Sequence, residues 1–243
     1  MGLAPDSLPR WRRRLTTRFG REGIGAPAHR TVERFVADPV RALEIGSALL
    51  GLVVLMAAFV PAAPLGVDRS WSDAMDDIRT HLLTRLALFL NWLGRLPGSL
   101  TAIAIIGLLL LAQRRLLALA TFALVEILAP LFSSILKALV GRPRPPDGLV
   151  HPVGSSFPSG HVTYAGATCI ALVLLFTSPG PARRWWWPLA LLGIAAMAWS
   201  RTYLQVHWLS DVVGGAFLGI GVALVCFAVA QRASGPRAAD FPA

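Results

Sequence analysis

The sequence predicts an all-α fold: a polytopic membrane protein with six transmembrane helices. Three observations carry that prediction. Hydrophobic residues make up 55% of the 243 residues, charged residues only 15%, and the mean hydropathy is +0.60. The apolar residues are gathered into long runs, as a bilayer-crossing chain requires. Arginines stand in short clusters beside those runs, where membrane-topology signals lie.

Residues 1–41 carry nine Arg, four Asp/Glu and no sustained apolar run, and read as a basic cytoplasmic arm. No apolar segment with a cleavage site follows directly, so the arm is not read as a removable signal peptide. The six spans expected within 42–232 are Leu43–Ala63, Leu100–Ala112, Leu116–Val140, Val162–Phe176, Pro188–Trp199 continuing towards Val206, and Leu209–Ala230. The shorter runs borrow flanking residues to reach the ~20 needed to cross. Segment 70–96 has leucines at helical spacing with Arg79, Arg85 and Arg95 interleaved, which predicts an amphipathic helix lying at the interface. Residues 233–243 form a short tail.

Six spans with the N-terminus inside put residues 1–41, the Gln113-Arg114-Arg115 turn, the Arg183-Arg184 turn and the tail on the cytoplasmic side. Each carries arginine near a span end, in accord with the positive-inside rule. Trp185, Trp186 and Trp187 then fall at the cytoplasmic interface as belt residues. A formal charge of +10 and a pI near 11.4 are therefore topology signals, and no nucleic-acid partner is implied. Cys169 and Cys226 lie inside apolar runs as small buried hydrophobes, with neither a disulfide framework nor metal-ligand spacing. Glu126, midway along the third span, is costly at that depth and predicts a polar anchor between helices or the lining of a lipid-access groove.

Against the topology rule, positive charge also falls outside. Lys137, the single lysine of the chain, ends the third span, and Arg142, Arg144 and Arg201 stand on the same face. Three local patterns meet there: Lys137-Ala-Leu-Val-Gly-Arg-Pro-Arg144-Pro145, Phe157-Pro158-Ser159-Gly160-His161, and Ser200-Arg201 followed by His207 and Asp211. Lysine and arginines beside two histidines make a pocket for a dianion, since arginine offers a planar fork to phosphate oxygens and lysine a mobile point charge. Pro-Ser-Gly before a helix presents free N–H groups and the positive end of the dipole, with the Ser159 hydroxyl as a further donor. His207 and Asp211, four apart, share a helix face, so the carboxylate can hold one ring nitrogen and leave the other to attack. His161 can protonate a leaving alkoxide, although a helix N-terminus disfavours its charged form. No carboxylate cluster stands ready for a metal, so no metal or other cofactor is expected.

Lys-x6-Arg-Pro, Pro-Ser-Gly-His and Ser-Arg-x5-His-x3-Asp, in this order, resemble the signature of the type 2 phosphatidic acid phosphatase superfamily of integral membrane lipid phosphatases. The resemblance covers roughly residues 40–230. It implies that His207 is the nucleophile of a phosphohistidine mechanism, Asp211 orients it, and His161 is the general acid. It further implies that Lys137, Arg144, Arg201, Ser159 and the Gly160 amide bind the phosphoryl oxygens. The implied partner is a lipid phosphate or diphosphate in the cell membrane: a polyprenyl diphosphate, phosphatidate or phosphatidylglycerophosphate. The active site faces outside, with both termini cytoplasmic. Arg142 and His151 fall outside the matched positions; Arg142 either adds to the anion field or faces solvent, and His151 is expected at the surface. A lipid phosphotransferase would use the same histidine chemistry with another acceptor. A non-enzymatic lipid-binding protein is the other alternative, and its expected mark, loss of His207, His161 or Asp211, is not found.

Overall fold

The computed structural model describes residues 38–178, 180 and 183–234. The expected cytoplasmic arm, save its last four residues, and the expected tail beyond Ser234 lie outside the described residues. Those residues form eight α-helices and no strand.

Helix α1 spans Pro39–Phe59 and starts ahead of the apolar run that predicts it. The Asp38 carboxylate accepts a hydrogen bond from the Val40 N–H at 2.9 Å, and Pro39 fills the first helical position, where its missing N–H is no loss. Helices α2 (Gly66–Asp77) and α3 (His81–Leu93) correct the expectation of one amphipathic helix over 70–96. The chain breaks between them because Thr80 caps α3, its hydroxyl accepting from the Leu83 N–H at 3.3 Å. The Tyr203 hydroxyl clamps the break, accepting from the Thr80 N–H at 2.9 Å and donating to its carbonyl at 3.1 Å. Helix α4 (Leu96–Ala112) follows α3 after a sharp bend of 59°.

Helix α5 runs Leu116–Val140, the span the sequence delimits, and stops at Gly141, whose φ of 62° is open to glycine at little cost. Helix α6 covers Gly160–Phe176, a short 3-10 turn covers Arg183–Trp185, α7 covers Trp186–Tyr203 and α8 covers Leu209–Ser234. By length and composition α1, α5 and α8 can each cross a membrane, and the bent pair α3–α4 can serve as a fourth span. Helix α6 is apolar but only 17 residues long. Glu126 on α5 accepts a hydrogen bond from the Thr168 hydroxyl on α6 at 2.7 Å, the interhelical anchor its depth calls for.

Helix α8 is the centre of the bundle. Two thirds of its apolar window (67%) is buried inside the protein, against 17% for α1, so α1 keeps a broad face for lipid. It packs against α1, α5, α6 and α7. Where α8 meets α6, small residues let the two backbones touch, the usual device between membrane helices. A Cβ on Gly219 would stand 2.1 Å from the Thr163 carbonyl oxygen and 2.7 Å from the Ala167 nitrogen. The N-terminal turn of α6 is thereby pinned to α8.

Gly219→Ala is therefore expected to destabilise the protein by about 1–3 kcal/mol, read as a lower Tm in detergent. Gly51→Ala, at a site with nothing within 4 Å of the added carbon, serves as the control and should not lower Tm.

Candidate active site

The three motifs meet at the N-terminal end of α6. Lys137 comes from the last turn of α5, Gly160 and His161 from the first turn of α6, Arg201 from the last turn of α7, and His207 from the short link into α8. Together with Arg144 they line one cleft of about 290 Å³. Packing brings each of these side chains to the cleft from a different element. A Cβ on Gly160 would stand 3.9 Å from Lys137 Cε, which places the start of α6 directly beside the lysine.

The loop 141–159 is held by its own arginine. Arg144 donates from Nε to the Gly154 carbonyl at 2.9 Å, and from its terminal nitrogens to the carbonyls of Ser155 at 3.1 Å and Val206 at 2.8 Å. Lys137 Nζ donates to the same Ser155 carbonyl at 2.9 Å. The two cations thus stand side by side without a carboxylate between them, a pairing that an arriving anion relieves.

At the floor of the cleft, an Arg144 terminal nitrogen lies 3.1 Å from His207 Nε2. Guanidinium can only donate, so Nε2 accepts and the proton of a neutral imidazole sits on Nδ1. Nδ1 faces Asp211 Oδ2 at 3.5 Å, an ion-pair distance without hydrogen-bond geometry. This is the tautomer a nitrogen nucleophile needs, with its lone pair on Nε2. Burial pushes the His207 pKa down to about 4, against the opposing pull of Asp211, so the ring is neutral at physiological pH. Across the cleft, His161 Nε2 donates to the Asn91 carbonyl at 3.3 Å, and the same residue's side-chain oxygen accepts from Arg201 at 2.7 Å. Backbone packing leaves His161 little room: a Cβ on Gly94 would come within 2.4 Å of its Cδ2.

Ser159 is the one expected phosphate ligand that stays out of the cleft. It is fully buried, its N–H donates to the Asp211 carbonyl at 3.0 Å, and its hydroxyl has no partner among the described residues. Its place is under the start of α6, tying that turn to α8. His151, expected at the surface, is exposed and forms part of the cleft rim.

Arg142 differs most from its sequence reading. It neither faces solvent nor lines the cleft; its side chain is wholly buried. It donates to Asp211 Oδ1 at 2.6 Å, to Asp68 Oδ2 at 2.8 Å and to the Ser210 hydroxyl at 2.7 Å. Asp68 in turn accepts from the Ser210 N–H at 2.9 Å and the Leu65 N–H at 3.1 Å. Asp211 Oδ2 accepts from the Trp208 N–H at 2.9 Å. Asp68, Asn91 and Arg95 were not singled out from sequence as site residues. Their signal is faint: Asn91 and Arg95 lie in the segment 70–96 that reads as one interfacial helix, Asp68 lies just before it, and all three are far along the chain from every motif.

The arrangement can bind an anion, present a neutral imidazole nitrogen to it, and hold a second imidazole nearby. Among the described residues no group of three His, Cys, Asp or Glu side chains is placed to hold a metal ion.

Because Arg142 is buried between two carboxylates, Arg142→Ala is expected to cost about 3–5 kcal/mol by leaving both unpaired, whereas Asp68→Asn, which keeps a hydrogen-bond acceptor, costs less. Thermal unfolding of both variants in detergent measures the difference, and equal Tm values would contradict it.

The comparisons with known proteins agree with this geometry. A family model described as the PAP2 superfamily matches residues 116–234, from the start of α5 to the end of α8. Phosphatidylglycerophosphatase B of Bacillus subtilis is 32% identical over 183 residues, 72% of this chain and 88% of that protein. An undecaprenyl-diphosphatase of Sulfolobus acidocaldarius is 29% identical over 161 residues, 63% of this chain and 73% of that protein. The crystal structure of the transmembrane PAP2-type phosphatidylglycerolphosphate phosphatase from Bacillus subtilis superposes with a TM-score of 0.67 at 26% identity, covering 77% of this chain and 96% of that one. Aquifex aeolicus LpxE, at 19% identity, shares the fold with a TM-score of 0.55 over 69% of this chain and 96% of its own. With its motifs gathered in one cleft and relatives matched over most of their length, the chain belongs to the PAP2 superfamily of membrane phosphatases.

Proposed function

We propose that the protein is a lipid phosphate phosphatase in which His207 is the nucleophile. The observation that carries this is the His207 ring, held neutral with Nε2 turned to Arg144 and Nδ1 backed by Asp211, on the floor of a cleft lined by cations. Relatives that act on undecaprenyl diphosphate and on phosphatidylglycerophosphate support a lipid phosphate or diphosphate as the substrate.

The reaction follows from the residues in place. Lys137, Arg144, Arg201 and the Gly160 amide take the phosphoryl oxygens, and Arg144 exchanges His207 Nε2 for phosphate. Nε2 bonds to phosphorus as the bond from phosphorus to the leaving oxygen breaks. His161, in its protonated form, supplies the proton when the leaving group is an alkoxide. Asp211 stabilises the positive charge that the phosphorylated ring acquires. Water then attacks the phosphorus, the P–N bond breaks, and His161 takes the proton that water loses. Inorganic phosphate leaves and His207 is regenerated. Ser159 and Arg142 act behind this set, one fixing the start of α6 and the other fixing Asp211.

The membrane arrangement we propose has six spans, α1, α4, α5, α6, α7 and α8, in the cell membrane, with both termini cytoplasmic and the cleft outside. Helix α6 is the ruler. Arg115 and Arg183 donate to the Leu175 and to the Val173 and Leu174 carbonyls at its C-terminal end. His161 and the cleft sit at the other end, about 18–21 Å away at ~1.5 Å per residue. Topology-setting arginines and phosphate-binding cations thus occupy opposite ends, as the positive-inside rule asks of an outward-facing site.

The deciding experiment is phosphate release by the purified protein with EDTA present, offered a polyprenyl diphosphate, phosphatidate and phosphatidylglycerophosphate. Release from at least one, abolished by His207→Ala in protein of unchanged Tm, is expected; release that survives the substitution would remove His207 as nucleophile. The pH profile is a second check. His207 is unprotonated above its lowered pKa of about 4, so kcat/KM should hold down to about pH 4 once the substrate's own ionisation near pH 6 is accounted for. An acid limb at the ordinary imidazole value of about 6.5 would mean that the ring is not shielded as described.

A further inference from the structure

The cleft carries more positive charge than one phosphoryl group requires. Lys137, Arg144, Arg201 and Arg95 line it, and no carboxylate does. A phosphate monoester brings only about −1.5 to −2 charge near neutral pH. The space is also generous: at roughly 30 Å³ per water-sized oxygen, the seven oxygens of a diphosphate need about 210 Å³, within the 290 Å³ of the cleft.

The four cations divide between two walls. Lys137 and Arg144 share the Ser155 carbonyl and stand on the His207 side. Arg201 stands on the opposite wall, joined through Asn91 to His161. Arg95 belongs to that second wall, because it follows Gly94, whose backbone abuts the His161 ring. Neither arginine of the second wall is neutralised. Arg201 is 2% exposed, yet one terminal nitrogen has no hydrogen-bond partner. The Arg95 guanidinium, exposed at the bend between α3 and α4, makes no ion pair or hydrogen bond among the described residues.

We propose that Arg95 forms a second phosphate subsite on the His161 wall, with Arg201 bridging it to the phosphoryl site, and holds the phosphate that stays with the lipid when a lipid diphosphate is cleaved. This rests on the phosphatase reading above and narrows its substrate class to lipid diphosphates. His207 Nε2 bonds to the terminal phosphorus, and the bond from that phosphorus to the bridging oxygen breaks. The electron pair stays on the bridging oxygen, which becomes a terminal oxygen of the departing lipid monophosphate, and the added negative charge develops between the two arginines. Water later cleaves the P–N bond and releases inorganic phosphate. Such a leaving group needs no proton, since a phosphate monoester's second pKa is about 6. That suits His161 as the structure holds it, with Nε2–H given to the Asn91 carbonyl.

The test compares a polyprenyl diphosphate with the monophosphate of the same tail, using the full-length protein in detergent. In the wild type the diphosphate has the higher kcat/KM. Arg95→Gln lowers the diphosphate-to-monophosphate ratio about ten- to a hundredfold, the usual worth of a charge-assisted hydrogen bond, and Arg95→Lys restores part of it. Inorganic pyrophosphate inhibition weakens more than inorganic phosphate inhibition in the same variant. A ratio that moves less than twofold in Arg95→Gln, with wild-type phosphate release intact, overturns the subsite alone. Release from neither substrate by the wild type overturns the phosphatase reading and this inference with it.

Discussion

Everything about the site depends on the burial of Arg142. A guanidinium removed from water is tolerable only with charged partners, and Arg142, whose terminal nitrogens are bonded while its Nε has no partner among the described residues, takes them from two separate elements, Asp68 on α2 and Asp211 on α8. The loop after α5 is therefore tied to both helices through one side chain. With both carboxylates ionised, two negative charges against one positive leave the cluster at −1 directly behind His207. The same ion pairs thus hold Asp211 beside His207.

The second constraint is the close approach of α6 and α8. Gly219 and its neighbours allow backbone contact with the turn that carries Ser159 and His161. Ser159 then gives its N–H to the Asp211 carbonyl. The N-terminal turn of α6 and the residue whose carboxylate faces His207 are consequently registered to each other by main-chain contacts. In a bilayer, where apolar burial between helices brings little, such packing and hydrogen bonding is what fixes relative position. Glu126 and Thr168 make the corresponding polar tie between α5 and α6 deeper in the bundle.

Much of this was legible in the sequence because the chemistry is written locally. The Lys137, Arg144, Gly160, His161, Arg201 and His207 set could be read from residue type, spacing and placement at the ends of apolar runs, and the structure brings all six to one cleft. Helix α5 matched its expected bounds because its ends are marked by the paired Arg114-Arg115 and by Gly141. The reading failed where a residue's environment comes from far along the chain. Segment 70–96 has one continuous helical periodicity, and only Thr80 and its clamp by Tyr203, 123 residues away, divide it. Ser159 stands in a motif that looks like a phosphate loop, yet packing turns its hydroxyl away from the cleft. Arg142 is two residues from Arg144 and chemically identical to it, and nothing local tells which of the two is buried.

The sequence by itself determined the helical class, the family and the identity of the groups that meet in the cleft, because hydropathy, arginine placement and motif spacing are properties of short stretches. Tertiary structure alone decided which arginine lines the cleft and which is sealed between Asp68 and Asp211. It also decided that Asn91 and Arg95 complete the wall beside His161. Those choices arise from helices separated by many residues meeting in space, and the free energy of a buried charge depends on every partner that such a meeting supplies.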